Sequence, residues 1–303
     1  MGRNHELDSC GAAADASIGA APAVLHEPRV RGAGARRRML VVVALSAVVL
    51  LAVAVAGVCL GDAAVRPDFA LKHAAPSSAH PFGCDWMGRD MFASTLAGLS
   101  SSLFVGVVAA VASSLVALAL AAVAALGGPR ADAAVGFVID VVLGVPHIVL
   151  LILVSYALGR GFWGVTVSIA LTHWPSLARV LRAEMLQLRG QPYLAVSRSL
   201  GVGRMRLLAA HVLPAIAAQL VIGTVLTFPH AILHEASITF LGFGLSPDHP
   251  AIGVILSEAM GYLSAGMWWL AFFPGAALVA CTLLFDCIGA FARRLLDAHT
   301  VQE

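Results

Sequence analysis

Long apolar blocks alternate with short polar segments along most of the chain. The first block, residues 39–60, has 22 residues and no charged side chain. About 20 apolar residues let an α-helix cross ~30 Å of membrane hydrocarbon, because each residue adds about 1.5 Å. Five further blocks have comparable lengths, at residues 101–126, 133–158, 162–180, 215–233 and 267–290. The pattern predicts an all-α, polytopic membrane protein with six transmembrane helices.

The composition agrees with this class. Apolar residues make up 59% of the chain and charged residues only 12%, whereas soluble domains contain about 25% charged residues. The formal net charge of +2 is small, so nucleic acid is not indicated as a partner. The five cysteines form no C-x-x-C pair and show no other metal-binding spacing. From this pattern we predict no metal site.

The positions of the basic residues predict the orientation. Cytoplasmic loops of membrane proteins carry an excess of Lys and Arg. If the N-terminal tail is inside and six spans alternate, 15 of the 19 Lys and Arg residues fall on the cytoplasmic side. We therefore expect both termini in the cytoplasm of a protein of the cytoplasmic membrane. Residues 181–212 then form the sizeable cytoplasmic loop between spans.

The remaining segments are interpreted from the same pattern. Residues 1–38 are rich in Ala, Gly and Arg without apolar periodicity, which predicts a disordered cytoplasmic tail. The block 39–60 is expected to be an uncleaved first span, since the apolar region of a signal peptide has only about 7–15 residues. Residues 61–100 are expected to be an extracytoplasmic loop with an interfacial helix. Residues 101–297 are expected to be a core of five spans with an outer loop at 241–267.

The cytoplasmic loop contains the stretch YLAVSRSLGVGRMRLLAAHVLP. Ala, Leu and Arg favour a short helix before Gly201. Gly201 and Gly203 are expected to end that helix, because Gly readily takes the positive φ of a helix C-cap. A second helix would follow and continue into the next span at Pro214. A basic, solvated loop that binds lipid headgroups is the alternative interpretation.

The spacing in this stretch resembles the EAA loop of the permease subunits of ATP-binding-cassette (ABC) importers. That loop has a Glu-Ala-Ala-like triplet, a Gly four residues after the triplet, and a hydrophobic-x-Leu-Pro ending. Here the triplet is Ala195-Val196-Ser197, the glycine is Gly201 and the ending leads to Pro214. Ala195 stands where the family has its Glu.

Three other segments resemble the dipeptide, oligopeptide and nickel permease family in the same order. Residues 80–106 begin HPFGCDWMGRD, like the family's segment before its second span, with Cys84 in place of the usual Thr. Residues 235–259 begin EASITFLGFG, like the family's outer loop. Residues 273–297 resemble its last span and tail.

The resemblance implies a type I ABC importer permease fold and a transport function. The chain would pair with a second, similar permease subunit to form one translocation pathway for peptides. Two cytoplasmic ATPase subunits would bind ATP and Mg²⁺, and an external substrate-binding protein would deliver the substrate. The chain itself would have no cofactor and would not be an enzyme, since it lacks a G-x-x-x-x-G-K-[ST] phosphate-binding loop. A nickel or metal-chelate importer is the alternative, and a secondary transporter is an alternative of another class.

The resemblance also assigns roles to residues. The coupling loop that would dock on an ATPase contains Tyr193, Ala195, Val196, Ser197, Arg198, Leu200, Gly201, Val202 and Gly203. The residues expected to face the binding protein are Asp85, Arg89, Asp90, Pro247 and Asp248. Asp90 is also expected to begin the second span, because a carboxylate is favourable at a helix N-terminus.

Ionisable residues inside apolar blocks are the last candidates, because such residues are costly in a membrane and often functional. The possible pathway residues are Asp140, His230, His234 and Glu235. Asp140 and Asp286 are expected to face the interior of the helix bundle, and a hydrogen bond between helices is the preferred interpretation over contact with substrate. His147 and His173 are interpreted as isolated interior groups. If the substrate were a metal, these two residues and His230 and His234 would be the candidates to bind it.

Overall fold

The computed structural model describes residues 33–296 of the chain. The chain divides into two compact units, Met1–Leu40 and Val41–Glu303. In the first unit, the described residues 33–40 are the beginning of helix α1. Of the predicted disordered tail at 1–38, residues 1–32 lie outside the described part of the chain, and residues 33–38 belong to α1.

The described residues form helices without any β-strand. The helices are α1 (Ala33–Cys59), α2 (Gly61–Val65), α3 (Met91–Gly127), α4 (Pro129–Gly144), α5 (His147–Ala157), α6 (Gly161–Arg189), α7 (Pro192–Ser199), α8 (Arg204–Leu207), α9 (Leu213–Phe240), α10 (Ile252–Leu263) and α11 (Trp269–Leu296). A 3₁₀ turn covers Phe69–Leu71, and a π-helical turn at Leu208–Val212 joins α8 to α9.

Four of these helical segments are long and apolar enough to cross a membrane: Arg37–Cys59, Met91–Gly127, Arg204–Phe240 and Trp269–Arg294. The pair α4 and α5 makes a fifth if the two helices together form one span. The block predicted at 162–180 lies within α6, which has 29 residues but a less apolar composition. The structure thus supports four or five spans by length and composition, and the count of six stays a prediction.

The span predicted at 133–158 is not one continuous helix. It breaks between α4 and α5, whose axes are bent by 96°. Val145 has extended backbone angles just before Pro146. Proline disfavours the helical conformation of the residue that precedes it and has no N–H to donate. The break places His147 at the first position of α5.

Small residues bring the central helices together. The buried face of α3 carries a series of alanines that pack against α6 and α9, among them Ala117, Ala121 and Ala124. Small side chains let transmembrane helices approach closely and gain van der Waals contact. Many large apolar side chains of α1 and α3 point outward, such as Leu45 and Leu115, as expected for surfaces that face lipid.

Candidate functional site

The loop predicted to be cytoplasmic folds into two short helices, as its sequence predicts. Helix α7 ends at Ser199, and the chain turns at Gly201, whose φ is +81°. The Leu200 N–H donates to the Val196 carbonyl (3.0 Å) and the Val202 N–H to the Ser197 carbonyl (3.2 Å). The segment Pro192–Leu207, which we call the elbow, is therefore a helix–glycine–helix turn.

The elbow is attached firmly to the helix bundle on one side. Leu194 is completely buried in a cluster that includes Met185 of α6 and Leu207 of α8. Arg204 of the elbow donates to the Leu126 carbonyl (3.2 Å). Just before the elbow, Arg189 at the end of α6 donates to the Ala125 carbonyl (2.9 Å). These carbonyls lie in the last turn of α3, where carbonyl groups lack partners within the helix and attract cations.

The opposite side of the elbow exposes apolar side chains. Tyr193, Val196 and Leu200 are 47%, 59% and 78% exposed. Their spacing of three and four residues places them on one face of α7 and its C-terminal turn. Of the other predicted coupling residues, Ala195 is exposed and Ser197 donates to the Tyr193 carbonyl (2.9 Å). The side chain of Arg198 lies outside the described part of the structure.

On the predicted outer side, a second group of residues surrounds the start of α3. The buried carboxylate of Asp85 accepts from the backbone N–H groups of Met87 and Arg89, both at 2.8 Å, and pairs with the Arg89 guanidinium (2.5 Å). Arg89 also donates to Glu258 of α10 (3.1 Å). This network joins the loop before α3 to the outer helix α10.

Four of the five residues predicted to face a binding protein line one shallow pocket at this place: Asp85, Arg89, Pro247 and Asp248. Asp90 is the exception, because its carboxylate caps α3. It accepts from the backbone N–H groups of Phe92 (2.7 Å) and Ala93 (3.1 Å) and lies 2.8 Å from His80 Nδ1. The prediction that Asp90 begins this helix is confirmed.

Cys84 lies beside this network and is a free, fully buried cysteine. Burial raises the pKa of its thiol, and the nearby carboxylates of Asp90, Asp85 and Asp68 raise it further. Since the thiolate is the reactive form of cysteine, this thiol is expected to be inert at neutral pH.

Three histidines meet inside the apolar region. The ring centroid of His147 lies 4.5 Å from that of His173 and 4.6 Å from that of His234, and the last two are 5.1 Å apart. The interpretation of His147 and His173 as isolated groups is therefore wrong. Sequence reasoning missed the cluster because its members belong to three helices, α5, α6 and α9.

Glu235 has a different environment from its neighbour His234. It is completely buried, and its Oε1 accepts from the Thr239 hydroxyl (2.9 Å). The Thr239 oxygen in turn accepts from the Leu245 N–H (3.1 Å). Thr239 thus joins the end of α9 to the following loop, and Glu235 accepts the hydrogen bond of the Thr239 hydroxyl. His230, one turn before His234, is exposed.

The two intramembrane aspartates do not lie where the sequence placed them. Asp140 is 73% exposed and pairs with Arg179 of α6 (2.8 Å), and Asp286 is also exposed. The expectation that they face the interior of this bundle is wrong. A second pair, missed in the sequence, joins Asp132 of α4 to Arg182 of α6 through two bonds of 2.5 and 2.9 Å. Four polar side chains thus hold α4 against α6.

Comparison with known proteins identifies the family. Residues 114–300 match the family described as "Binding-protein-dependent transport system inner membrane component". A protein of Brucella ovis that carries the name peptide permease is 37% identical over 231 residues, which is 76% of each chain.

Two further relatives have related names. The dipeptide transport system permease protein of Bacillus subtilis is 30% identical over 233 residues, or 77% of this chain and 73% of the relative. A protein of Brucella suis named as a peptide transport system permease is 32% identical over 286 residues, or 94% and 95% of the two chains. The matched share of both chains is high in each case. The chain therefore belongs to the family of inner membrane components of binding-protein-dependent transport systems.

Proposed function

We propose that this chain is one of two permease subunits of an ATP-driven importer of peptides. It forms half of the translocation pathway, and an external substrate-binding protein delivers the peptide. The family supports the transport role, and the names of the relatives support peptides as the substrate class. Two ATPase subunits on the cytoplasmic side bind ATP and Mg²⁺ and hydrolyse the ATP, so this chain is not itself an enzyme.

The observation that carries the proposal is the exposed apolar face of the elbow. Tyr193, Val196 and Leu200 present it in a loop whose other side is buried or bonded to the bundle. Exposed apolar side chains that share one face indicate a protein contact. In our proposal this face docks in a groove on one ATPase. A membrane surface is the competing contact, because the loop also carries several arginines.

Motion of the elbow has a direct route to the transmembrane helices. Leu194 lies in one apolar cluster with residues of α6 and α9. Arg204 of the elbow and Arg189 at the end of α6 both bind carbonyls at the end of α3. Closure of the ATPase pair would therefore displace α3, α6 and α9 together, as rigid elements. These helices contact one another along the bundle, so the displacement would open the pathway to the other side of the membrane.

The outer pocket is the proposed contact for the binding protein. Its lining carries both signs of charge, since it contains Arg89, which pairs with Asp85 and Glu258, and the exposed Asp248. Charged groups at the rim of an interface set orientation and association rate more than affinity. The ion pair between Arg89 and Glu258 links this pocket to α10.

The test is affinity purification of the tagged full-length chain from membranes, with mass spectrometry of the proteins that co-purify. We expect two ATPase subunits and a second permease. The variant Leu200→Glu should lose the ATPases and keep the second permease, because a buried charge in the docking face is unfavourable. Met205→Glu is the control: Met205 is a comparably exposed apolar residue (72%) of the elbow, but it lies on α8 and not on α7.

Two results would contradict the proposal. Recovery of the wild-type chain alone or as a homo-oligomer would favour a secondary transporter. Equal recovery of the ATPases with Leu200→Glu would place their contact elsewhere.

A second experiment tests the substrate class. Uptake of labelled dipeptides and oligopeptides in cells is compared with uptake of Ni²⁺. Uptake of Ni²⁺ alone would replace the peptide proposal by the metal alternative.

A further inference from the structure

The histidine cluster offers metal-ligating atoms from three separate helices. One ring nitrogen from each of His147, His173 and His234 can be chosen such that these atoms all lie within 4.8 Å of one another. In a tetrahedral site with metal–nitrogen bonds of 2.0–2.1 Å, bound nitrogens are about 3.4 Å apart. Shifts of roughly an ångström, reachable by rotation of the side chains, would bring the three nitrogens to that spacing.

The hydrogen bonds leave nitrogen lone pairs free for a ligand. Nδ1 of His173 lies 3.1 Å from the Ile169 carbonyl, and a carbonyl can only accept, so this nitrogen carries the proton. Nε2 of His173 is then an acceptor, and it is buried without a hydrogen-bond partner among the described residues. Nε2 of His147 is also buried without a hydrogen-bond partner among the described residues. Buried polar atoms normally have partners, so two neighbouring exceptions call for an explanation.

The bond to Ile169 is also the usual support of a metal ligand. Histidines that bind metals commonly donate their second ring N–H to a carbonyl or carboxylate, which fixes the tautomer and the ring orientation. Here the carbonyl is one helical turn before His173 on the same helix. The orientation of this ring is therefore set by α6 and needs no metal to form.

Each of the three histidines lies within five residues of a proline in or next to its helix. Pro146 immediately precedes His147 at the break between α4 and α5. Pro175 lies two residues after His173 inside α6, and Pro229 lies five residues before His234 inside α9. An ion bound to all three histidines would join these helices next to the positions where each can bend.

We propose that His147, His173 and His234 form a binding site for a divalent transition metal ion such as Zn²⁺, Co²⁺ or Ni²⁺. Imidazole nitrogens suit these ions, whereas Mg²⁺ and Ca²⁺ require oxygen ligands. Three ligands leave one position for water. The site goes beyond peptide transport and does not depend on it, because the three ligands all come from this chain. Glu235 is outside the site, and the exposed His230 lies one turn away on α9.

Occupation of the site has a mechanical consequence. A bound ion would tie α5, α6 and α9 to one another, and two of these helices also contact the elbow. A metal ion that binds only the folded state raises the free energy of unfolding by RT ln(1 + [metal]/Kd). The unfolding temperature therefore rises as the metal concentration increases. The same tie would oppose relative movement of these helices during a transport cycle.

The test is a Co²⁺ titration of the full-length chain, purified in detergent with a tag that lacks histidine and stripped of metal beforehand. We expect one Co²⁺ per chain, a visible absorption spectrum typical of low-symmetry nitrogen coordination, and displacement by Zn²⁺. Each single His→Gln change at 147, 173 or 234 should weaken Co²⁺ binding at least about tenfold, since even loss of an outer support costs that much. The triple variant should lose the spectrum.

His249→Gln is the matched control, because His249 is exposed in the outer loop and its loss should leave Co²⁺ binding unchanged. Elution volume and helical circular dichroism of the single variants show whether each is folded. Should one variant fail to fold, the other two still decide the outcome. No Co²⁺ binding by the wild-type chain, or binding that survives in the folded triple variant, would overturn the proposal.

Discussion

Gly201 shows how one residue shapes the contact surface of the elbow. Its φ of +81° lies in the left-handed region, which costs a residue with a side chain about 1–2 kcal/mol. No atom lies within 4 Å of the place where a Cβ would be. Backbone conformation, and not lack of space, therefore requires glycine at this position.

We expect Gly201→Glu to uncouple ATP hydrolysis from peptide uptake while the chain still inserts in the membrane. The substitution strains the turn and adds a charge next to the docking face. Gly190→Glu is the charge-matched control, because Gly190 is exposed in the same loop and has ordinary helical angles. The measurements are uptake, and ATPase activity with and without binding protein and substrate. Normal substrate-stimulated ATPase activity together with normal uptake in Gly201→Glu would refute the expectation.

Asp90 gives a prediction about stability at the residue scale. Loss of an N-cap carboxylate costs about 1 kcal/mol and up to about 2. Asp90→Ala removes both bonds to the first turn of α3 and the pair with His80. We expect a lower unfolding temperature in detergent, measured by intrinsic fluorescence. Asp90→Asn should recover most of the loss, since an amide oxygen can still cap. An unchanged unfolding temperature for Asp90→Ala would contradict this role.

At the scale of elements, the bundle is organised by the ends and breaks of its helices. The last carbonyls of α3 accept from arginines of α6 and α8, and the break at Pro146 allows α5 to leave the direction of α4. Sequence spacing predicted the helices of the elbow well, because glycine and proline act locally. The bend of 96° at residues 145–146 depends on how α5 packs against α6 and α9, which local sequence does not encode.

Removal of the two arginine bonds to α3 should impair the transfer of ATPase movement to the transmembrane helices without impairing ATPase binding. We expect the double variant Arg189→Ala/Arg204→Ala to bind the ATPases normally but to transport peptide more slowly. Its docking face keeps Tyr193, Val196 and Leu200, while the attachment to α3 is weakened. Co-purification and uptake are measured on the same preparation. Arg206→Ala, on the same short helix α8, is the control; an equal effect of that change would show that total charge matters and not these bonds.

At the scale of the whole molecule, the all-α type I permease fold predicted from sequence is confirmed by the helices and by the family match. The protein is a multi-pass component of the inner membrane. Large apolar side chains are exposed along α1 and α3. The polar groups described above lie at the elbow, the outer pocket, the histidine cluster and the ion pairs between α4 and α6. The orientation of both termini remains a prediction from the basic residues.

Cysteine labelling tests that orientation. All cysteines except Cys84 are replaced, since Cys84 is fully buried with a raised pKa and is expected not to react. Met205→Cys, in the same predicted cytoplasmic loop but not among the docking residues, should react with a membrane-impermeant maleimide only in inverted vesicles. Asp248→Cys should react only from the outside. The parent without an added cysteine is the control. Reaction of Met205→Cys in intact spheroplasts would show that the orientation is the opposite of the predicted one.

The sequence alone determined the membrane class, the family and the elbow. These properties depend on apolar block length, on charge placement, and on local turn residues at fixed spacing. Tertiary structure decided which polar residues meet. In the folded chain Asp140 is exposed and pairs with Arg179, and Glu235 is buried beside Thr239. His147, His173 and His234 come together from three helices. Contacts of that kind depend on the rotation and bending of whole helices, which the pattern of apolar positions leaves open.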